Sequence, residues 1–298
     1  MTVKETREGI RVEEAGWLKL DPTLDSGQCF RFRKREDGAW SGIAGQHPLT
    51  LREEPGGLLF ENIGREEFEG FWRGYFDLDR DYGAVLEAFP RDERLRECLE
   101  YAPGIRILRQ DGFETLISFL FSQNNNVPRI KGIIERLCGC FGEPVGEGLY
   151  GFPGPERLAA LEEEDLTPLR CGWRSAYVLD AARKVASGEV DLDAIAALPL
   201  DEARAALQTI RGVGPKVAEC VLLYGLGRLE AFPLDVWMKR AMRQFFPGRT
   251  PESFGPYAGV AQQAVFHYCR RHAVQVRRCR EEAPSAAGEP LGGRQQAG

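Results

Sequence analysis

The apolar residues of this chain change their period once, near Asp111, and that change limits the folds open to it. Upstream, Phe30 and Phe32 alternate with Arg31 and Arg33, and Trp40, Ile43, Leu49 and Leu51 continue the pattern. Turn residues interrupt it at Glu36–Gly38 ("EDG") and Glu53–Gly57 ("EEPGG"), before "LLFENI". Such alternation, broken by tight turns, predicts an antiparallel sheet with one wet face. Helical stretches are expected to follow near Glu66–Tyr75 and Arg91–Tyr101. Downstream, Phe113, Leu116, Ile117, Leu120 and Phe121 recur at helical spacing, as do Ile130, Ile133, Ile134, Leu137 and Phe141. Between these two runs lies "SQNNNVPR", where Asn126 or a neighbour can cap the second helix and Pro128 fits its first turn. Further helices are predicted at Pro155–Glu163, Ser175–Ala186, Leu192–Ala197, Leu200–Ile210 and Tyr257–His272.

The expected class is therefore α+β, with a β-rich N-terminal domain over 1–105 and a mostly helical region of two subdomains over 106–280. Residues 281–298 have a linker's composition and are expected to be disordered. No apolar run approaches the roughly 20 residues of a membrane span, and "MTVKETREGIRVEE" has no apolar signal segment. A cytoplasmic monomer is the expectation. The net charge of −6 argues mildly against a nucleic-acid partner, although a basic patch can sit on an acidic body. Cysteines stand at 29, 98, 138, 140, 171, 220, 269 and 279 without a CxxC, which predicts reduced, mostly buried thiols and no iron–sulfur cluster. His47, His267 and His272 are too scattered to suggest a catalytic cluster.

The stretch richest in chemistry is Gln208–Met242, "QTIRGVGPKVAECVLLYGLGRLEAFPLDVWMKRAM". It reads as helix, glycine hairpin, helix. Gly212 and Gly214 permit a turn that side chains would obstruct, and they let the backbone approach a ligand closely. A helix starting near Pro215 points its unpaired N–H groups and positive dipole end out of that hairpin, a geometry suited to phosphate. Arg211, Lys216, Lys239, Arg240 and Arg243 supply cations nearby. The competing reading is an ordinary packed corner with a solvated lysine. Asp235, behind Pro233, sits at a predicted helix N-terminus, where capping is a sufficient reason for it. A lysine and an aspartate at two such helix starts can also converge on one cleft.

These segments resemble the helix–hairpin–helix motif with Gly/Pro-Asp loop of the base-excision DNA glycosylases, and in particular the 8-oxoguanine DNA glycosylases with lyase activity. The resemblance is carried by "SGQCFRF", "SQNNNVPRIKGIIERLCGCFG", "CGWRSAYVLDAAR", "GVGPKVAEC", "PLDVWM" and "GPYAGVAQQAVF", in family order over about residues 15–270. It implies a TATA-binding-protein-like N-terminal sheet domain followed by helical subdomains, acting on double-stranded DNA with a damaged base. It implies that Lys216 is the nucleophile forming a Schiff base with the sugar, and that Asp235 stabilises developing positive charge. The base pocket carries over to Gly27, Cys220, Tyr224, Pro233, Gln262 and Phe266, with Phe266 and Cys220 sandwiching a flipped purine, Gln262 reading its Watson–Crick edge and the Gly27 carbonyl accepting an N7 hydrogen. Asn124, Arg129, Trp173 and Arg174 match the wedge and cytosine-reading residues. Arg211, Gly212, Gly214 and Val217 match the DNA-backbone contacts. A structural monovalent cation at the hairpin is compatible with the motif.

Taken without the resemblance, Phe266 and Cys220 read as core residues, Asn124 as a loop or cap residue and Gly27 as a turn glycine. The chain also departs from the family. Arg211 stands where a Leu-Pro is common before the first glycine, Trp237 where animal members carry histidine, and Tyr224 where a smaller or more flexible apolar side chain is expected. Iron–sulfur members place four closely spaced cysteines after the loop, whereas only Cys269 and Cys279 follow it here. Two other functions stay in view: a glycosylase for alkylated purines, whose monofunctional representatives lack the lysine, and a non-catalytic module that grips phosphate.

Overall fold

The computed structural model describes residues 1–13, 18–146 and 148–272, so the expectation for 281–298 lies outside the described residues. Six antiparallel strands form one sheet: β1 (Thr2–Thr6), β2 (Gly9–Glu13), β3 (Phe32–Lys34), β4 (Trp40–Ala44), β5 (His47–Glu54) and β6 (Gly57–Glu61), in spatial order β1-β2-β6-β5-β4-β3. The predicted turns join β3 to β4 and β5 to β6, and pairing brings Trp40 opposite Leu51 and Leu51 opposite Phe60. Ile10, Val12, Leu49, Leu51, Leu58 and Phe60 bury one face against Leu20, Leu24, Phe68, Trp72 and Phe76. The other face is wet and charged, with ion pairs such as Arg52–Glu61. The reading of alternation did not resolve β1, because it is an edge strand whose residues are mostly exposed.

The helices at Gly112–Ser122 and Val127–Phe141 form where the period predicts them, and Asn126 caps the second through its side-chain oxygen and the Arg129 amide. Ser175–Ala186 and Leu192–Ala197 match their expected bounds, while Pro155–Ala159 and Leu200–Leu207 end earlier than expected. A short hairpin, Pro144–Gly146 with Leu149–Tyr150, was not legible in the sequence. The helix Glu93–Tyr101 packs Leu95 and Cys98 with Met238, Ala241, Ala261 and Val265, so N-terminal and C-terminal parts of the chain share a core. Among the described cysteines none is in a disulfide, and all but Cys140 are buried. Among the described residues no helix is long and apolar enough to cross a membrane.

Candidate active site

The predicted hairpin and its two helices are present. Gly212 turns the chain with φ +86°, and a Cβ there would come within 2.2 Å of the Tyr177 ring, so both backbone and packing demand glycine. Gly214 differs from expectation: its φ is −94° and a Cβ would meet nothing, so the turn itself does not require it. Open space at Gly214 suits an approaching ligand instead. The helix Pro215–Cys220 begins there with Pro215 in its first turn, leaving the amides of Lys216 and Val217 without intrahelical partners. Val217 buries its side chain, so it can offer a ligand only its backbone. Arg211 is exposed, and its amide donates to Asp180 Oδ2 at 2.8 Å.

Lys216, Cys220 and Tyr224 are spaced by four, which places them along one face as the helix continues into a wider π-helical turn over Val221–Gly225. Gln262 and Phe266 share the same spacing on Ala258–Arg271. These two faces, the loop Pro233–Asp235 and the turn Ser26–Gly27 enclose a cavity of about 50 Å³, also lined by Phe119. Every residue expected in the base pocket, and both expected catalytic residues, therefore lie on one cavity wall.

Lys216 is half-buried. Its Nζ lies 4.8 Å from the centre of the Phe119 ring and donates to Ser122 Oγ at 3.4 Å. Asp235 caps the helix Val236–Phe245, its Oδ1 accepting from the Met238 amide at 2.7 Å. Capping engages one carboxylate oxygen and leaves the second. Burial pushes the Cys220 thiol up to about 11, against the opposing pull of the Lys216 amine, so it stays a neutral, apolar wall. Gly27 has φ +79° and lies beside Phe266, which is only half-buried.

The residues matched to the opposite base lie outside this cavity. Asn124 is exposed and holds a left-handed backbone, φ +47°, which asparagine tolerates better than most side chains. Arg129 and Trp173 are exposed, and the Arg174 guanidinium lies 4.3 Å from the centre of the Trp173 ring. Arg174 itself is buried. It donates through Nε to Gln123 O at 3.1 Å, through Nη1 to Cys171 O at 3.1 Å and through Nη2 to Asn124 O at 3.2 Å. In this state its donors hold the Asn124 loop in place. Trp237, next to the site, is exposed with Arg240 5.7 Å from its ring centre.

Sequence reasoning missed Ser26, Phe119, Ser122, Glu219 and Gln263. Phe119 falls off the apolar helical period of its segment, and Ser26 and Gln263 adjoin the expected pocket residues Gly27 and Gln262. Glu219 accepts from the Phe232 amide at 2.6 Å and from Arg204, tying the lysine helix to the aspartate loop. Nothing local in the sequence signals that long-range bond. Among the described residues no group of three His, Cys, Asp or Glu could hold a metal ion.

Residues 117–253 match the superfamily described as HhH-GPD base excision DNA repair proteins, which is the class that this hairpin and cavity define. Residues 10–116 match the 8-oxoguanine DNA glycosylase N-terminal domain. The chain is 31% identical over 280 residues to the N-glycosylase/DNA lyase OGG1 of Arabidopsis thaliana, covering 84% of this chain and 76% of that protein. The structure of MBOgg1 with a low-affinity DNA ligand superposes with a TM-score of 0.87 at 41% identity, covering 91% of this chain and 99% of that one. The 8-oxoguanine glycosylase/lyase of Clostridium acetobutylicum, solved with double-stranded DNA containing cytosine opposite 8-oxoguanine, superposes with a TM-score of 0.85 at 34% identity, covering 92% and 99%. The chain belongs to the 8-oxoguanine DNA glycosylase family.

Proposed function

We propose that the protein is a bifunctional DNA repair glycosylase that removes 8-oxoguanine opposite cytosine from duplex DNA and then cleaves the strand at the abasic sugar. The observation that carries this reading is the placement of one amine, Lys216, and one carboxylate, Asp235, on the wall of a single cavity whose other lining residues are uncharged.

A base must leave the stack to reach such a cavity, at a cost of about a few kcal/mol. The unprotonated Lys216 amine attacks C1′. The C1′–N bond to the base breaks, its electron pair leaving with the base, which is protonated as it departs. A carboxylate beside the sugar stabilises the positive charge that develops there, the role assigned to Asp235. Of the two protons on Nζ one offsets that taken by the departing base, and the other passes to O4′ as the C1′–O4′ bond breaks and the sugar opens to a Schiff base. Loss of a C2′ proton breaks the C3′–O bond and expels the 3′ phosphate. The chemistry uses only the amine and carboxylate of the chain. The hairpin amides and Arg211 hold phosphate, and the hairpin backbone would hold a monovalent cation in a structural role. The proposed location is the cytoplasm, with the nucleoid if the protein is bacterial. A glycosylase for alkylated purines that acts without an amine nucleophile would have no use for Lys216 at this point in the wall.

Borohydride trapping on a duplex with a single 8-oxoguanine tests the reading. Lys216→Gln is expected to bind the duplex, release no base and give no covalent adduct. Base release at the parent rate by that variant rules out the assigned nucleophile.

A further inference from the structure

Two amide side chains meet at Tyr224, and the sense of their hydrogen bonds is set from outside. Gln263 Nε2 donates to the Ser26 carbonyl at 3.1 Å, and Gln262 Nε2 donates to the Pro233 carbonyl at 3.2 Å. A backbone carbonyl can only accept, so both amides must turn their nitrogens outward. Their oxygens consequently converge on one point. Two acceptors facing one another inside a protein need a shared donor. The Tyr224 hydroxyl is there, 2.6 Å from Gln263 Oε1 and 3.4 Å from Gln262 Oε1.

We propose that Tyr224 is a specificity-determining positioning residue: its hydroxyl, donating to Gln263 Oε1 and in longer contact with Gln262 Oε1, sits between the two amide oxygens and so keeps the Gln262 oxygen in place as an acceptor on the cavity wall. The inference rests on the function proposed above and deepens it. The chain Ser26–Gln263–Tyr224–Gln262–Pro233 ties together the four segments that enclose the cavity: the Gly27 turn, the Asp235 loop, the helix bearing Phe266 and the helical stretch from Lys216 to Tyr224. Tyr224 is well placed to be rigid, since its ring stacks on Phe119 with centroids 5.5 Å apart and its own carbonyl accepts from the Gln110 amide at 3.0 Å. Burial holds the phenol protonated, so it donates at any working pH.

The volume of about 50 Å³ does not admit a purine, so a wall must move when a base enters. Phe266 is the wall without hydrogen bonds and only half-buried. Tyr224 and Gln262 are the walls that stay. A fixed acceptor there favours a purine presenting N–H donors on its pairing edge, as guanine-type bases do, over adenine-type bases, which present a ring acceptor.

The test uses the full-length protein under single-turnover conditions, on duplexes with 8-oxoguanine, 8-oxoadenine or a preformed abasic site opposite cytosine. Tyr224→Phe keeps the ring and removes the donor. It is expected to lower the preference for 8-oxoguanine over 8-oxoadenine about tenfold, the size of one hydrogen bond. The ratio of 8-oxoguanine release to abasic-site cleavage should fall by a similar factor. Gln263→Leu should lower both ratios in the same direction, and the double variant should do no worse than Tyr224→Phe, because both changes break one chain. Unchanged ratios, additive effects, or base release and abasic cleavage falling in parallel overturn the inference. Absence of 8-oxoguanine release by the parent protein overturns the proposed function as well, a result distinct from an active enzyme with unaltered selectivity.

Discussion

Glu219 accepts a hydrogen bond from the Phe232 amide across 2.6 Å, and through it the helix carrying Lys216 is tied to the loop carrying Asp235. The same carboxylate also takes the Arg204 guanidinium, and the Glu219 side chain is largely buried. Glu219→Ala leaves a buried amide and a partly buried guanidinium without their acceptor. Loss of about 3 kcal/mol is expected, read as a lower urea midpoint at constant slope. An unshifted midpoint would show that the bond contributes nothing to the loop's position.

The observed cap and the proposed electrostatic role of Asp235 are separable by substitution. Asparagine caps helices about as well as aspartate, so Asp235→Asn should leave the thermal midpoint within about a degree or two. Removal of the charge should lower single-turnover base release by about 100-fold. If instead stability collapses and the chemistry persists, the residue is a cap and nothing more.

The two hairpin glycines should respond differently to alanine. Gly212→Ala forces a side chain into positive φ and into Tyr177 and should cost more than about 1 kcal/mol. Gly214→Ala meets open space in the free protein and should leave its stability unchanged, yet weaken duplex binding measured by fluorescence anisotropy. Equal affinity for DNA in the Gly214 variant would remove the close backbone approach from the argument.

Glu114 is partly buried where the sheet meets the first long helix, with the Gly45 amide at 3.3 Å and Arg31 at 4.0 Å. Burial pushes its carboxyl up to about 7, from a usual value of 4.5. A raised acid binds more protons folded than unfolded, so its contribution is fully present below pH 4.5 and lost as pH rises through about 7. Urea midpoints between pH 5 and 8 should therefore fall less for Glu114→Gln than for the parent. Parallel curves for the two proteins would contradict the assignment.

Local residue pattern was enough to read much of this molecule. The alternation Leu49, Leu51 and the run Phe113–Phe121 identify sheet and helix because each face must be buried at its own period. Asn126 and Asp235 announce helix starts because only short polar side chains can reach the amides there. The resemblance then assigned Lys216, Gln262 and Phe266 to a pocket whose spacing by four on two helices the structure reproduces. What escaped was interaction between distant positions. Phe119 under the Lys216 amine, Ser26 beyond Gln263 and Phe232 against Glu219 depend on how helices cross, which no local period encodes.

The sequence alone determined where backbone hydrogen bonds would close into strands and helices, and which of their faces would leave water. The tertiary structure alone decided that an amine, a carboxylate and an amide from three separate segments share one small cavity. It also decided that the Arg174 guanidinium serves a loop carbonyl in this state, and that a phenol hydroxyl lies between two amide oxygens. The physical reason is directionality: burial follows from composition and period, but a hydrogen bond needs its partner at a fixed distance and angle, and only the packed chain supplies that.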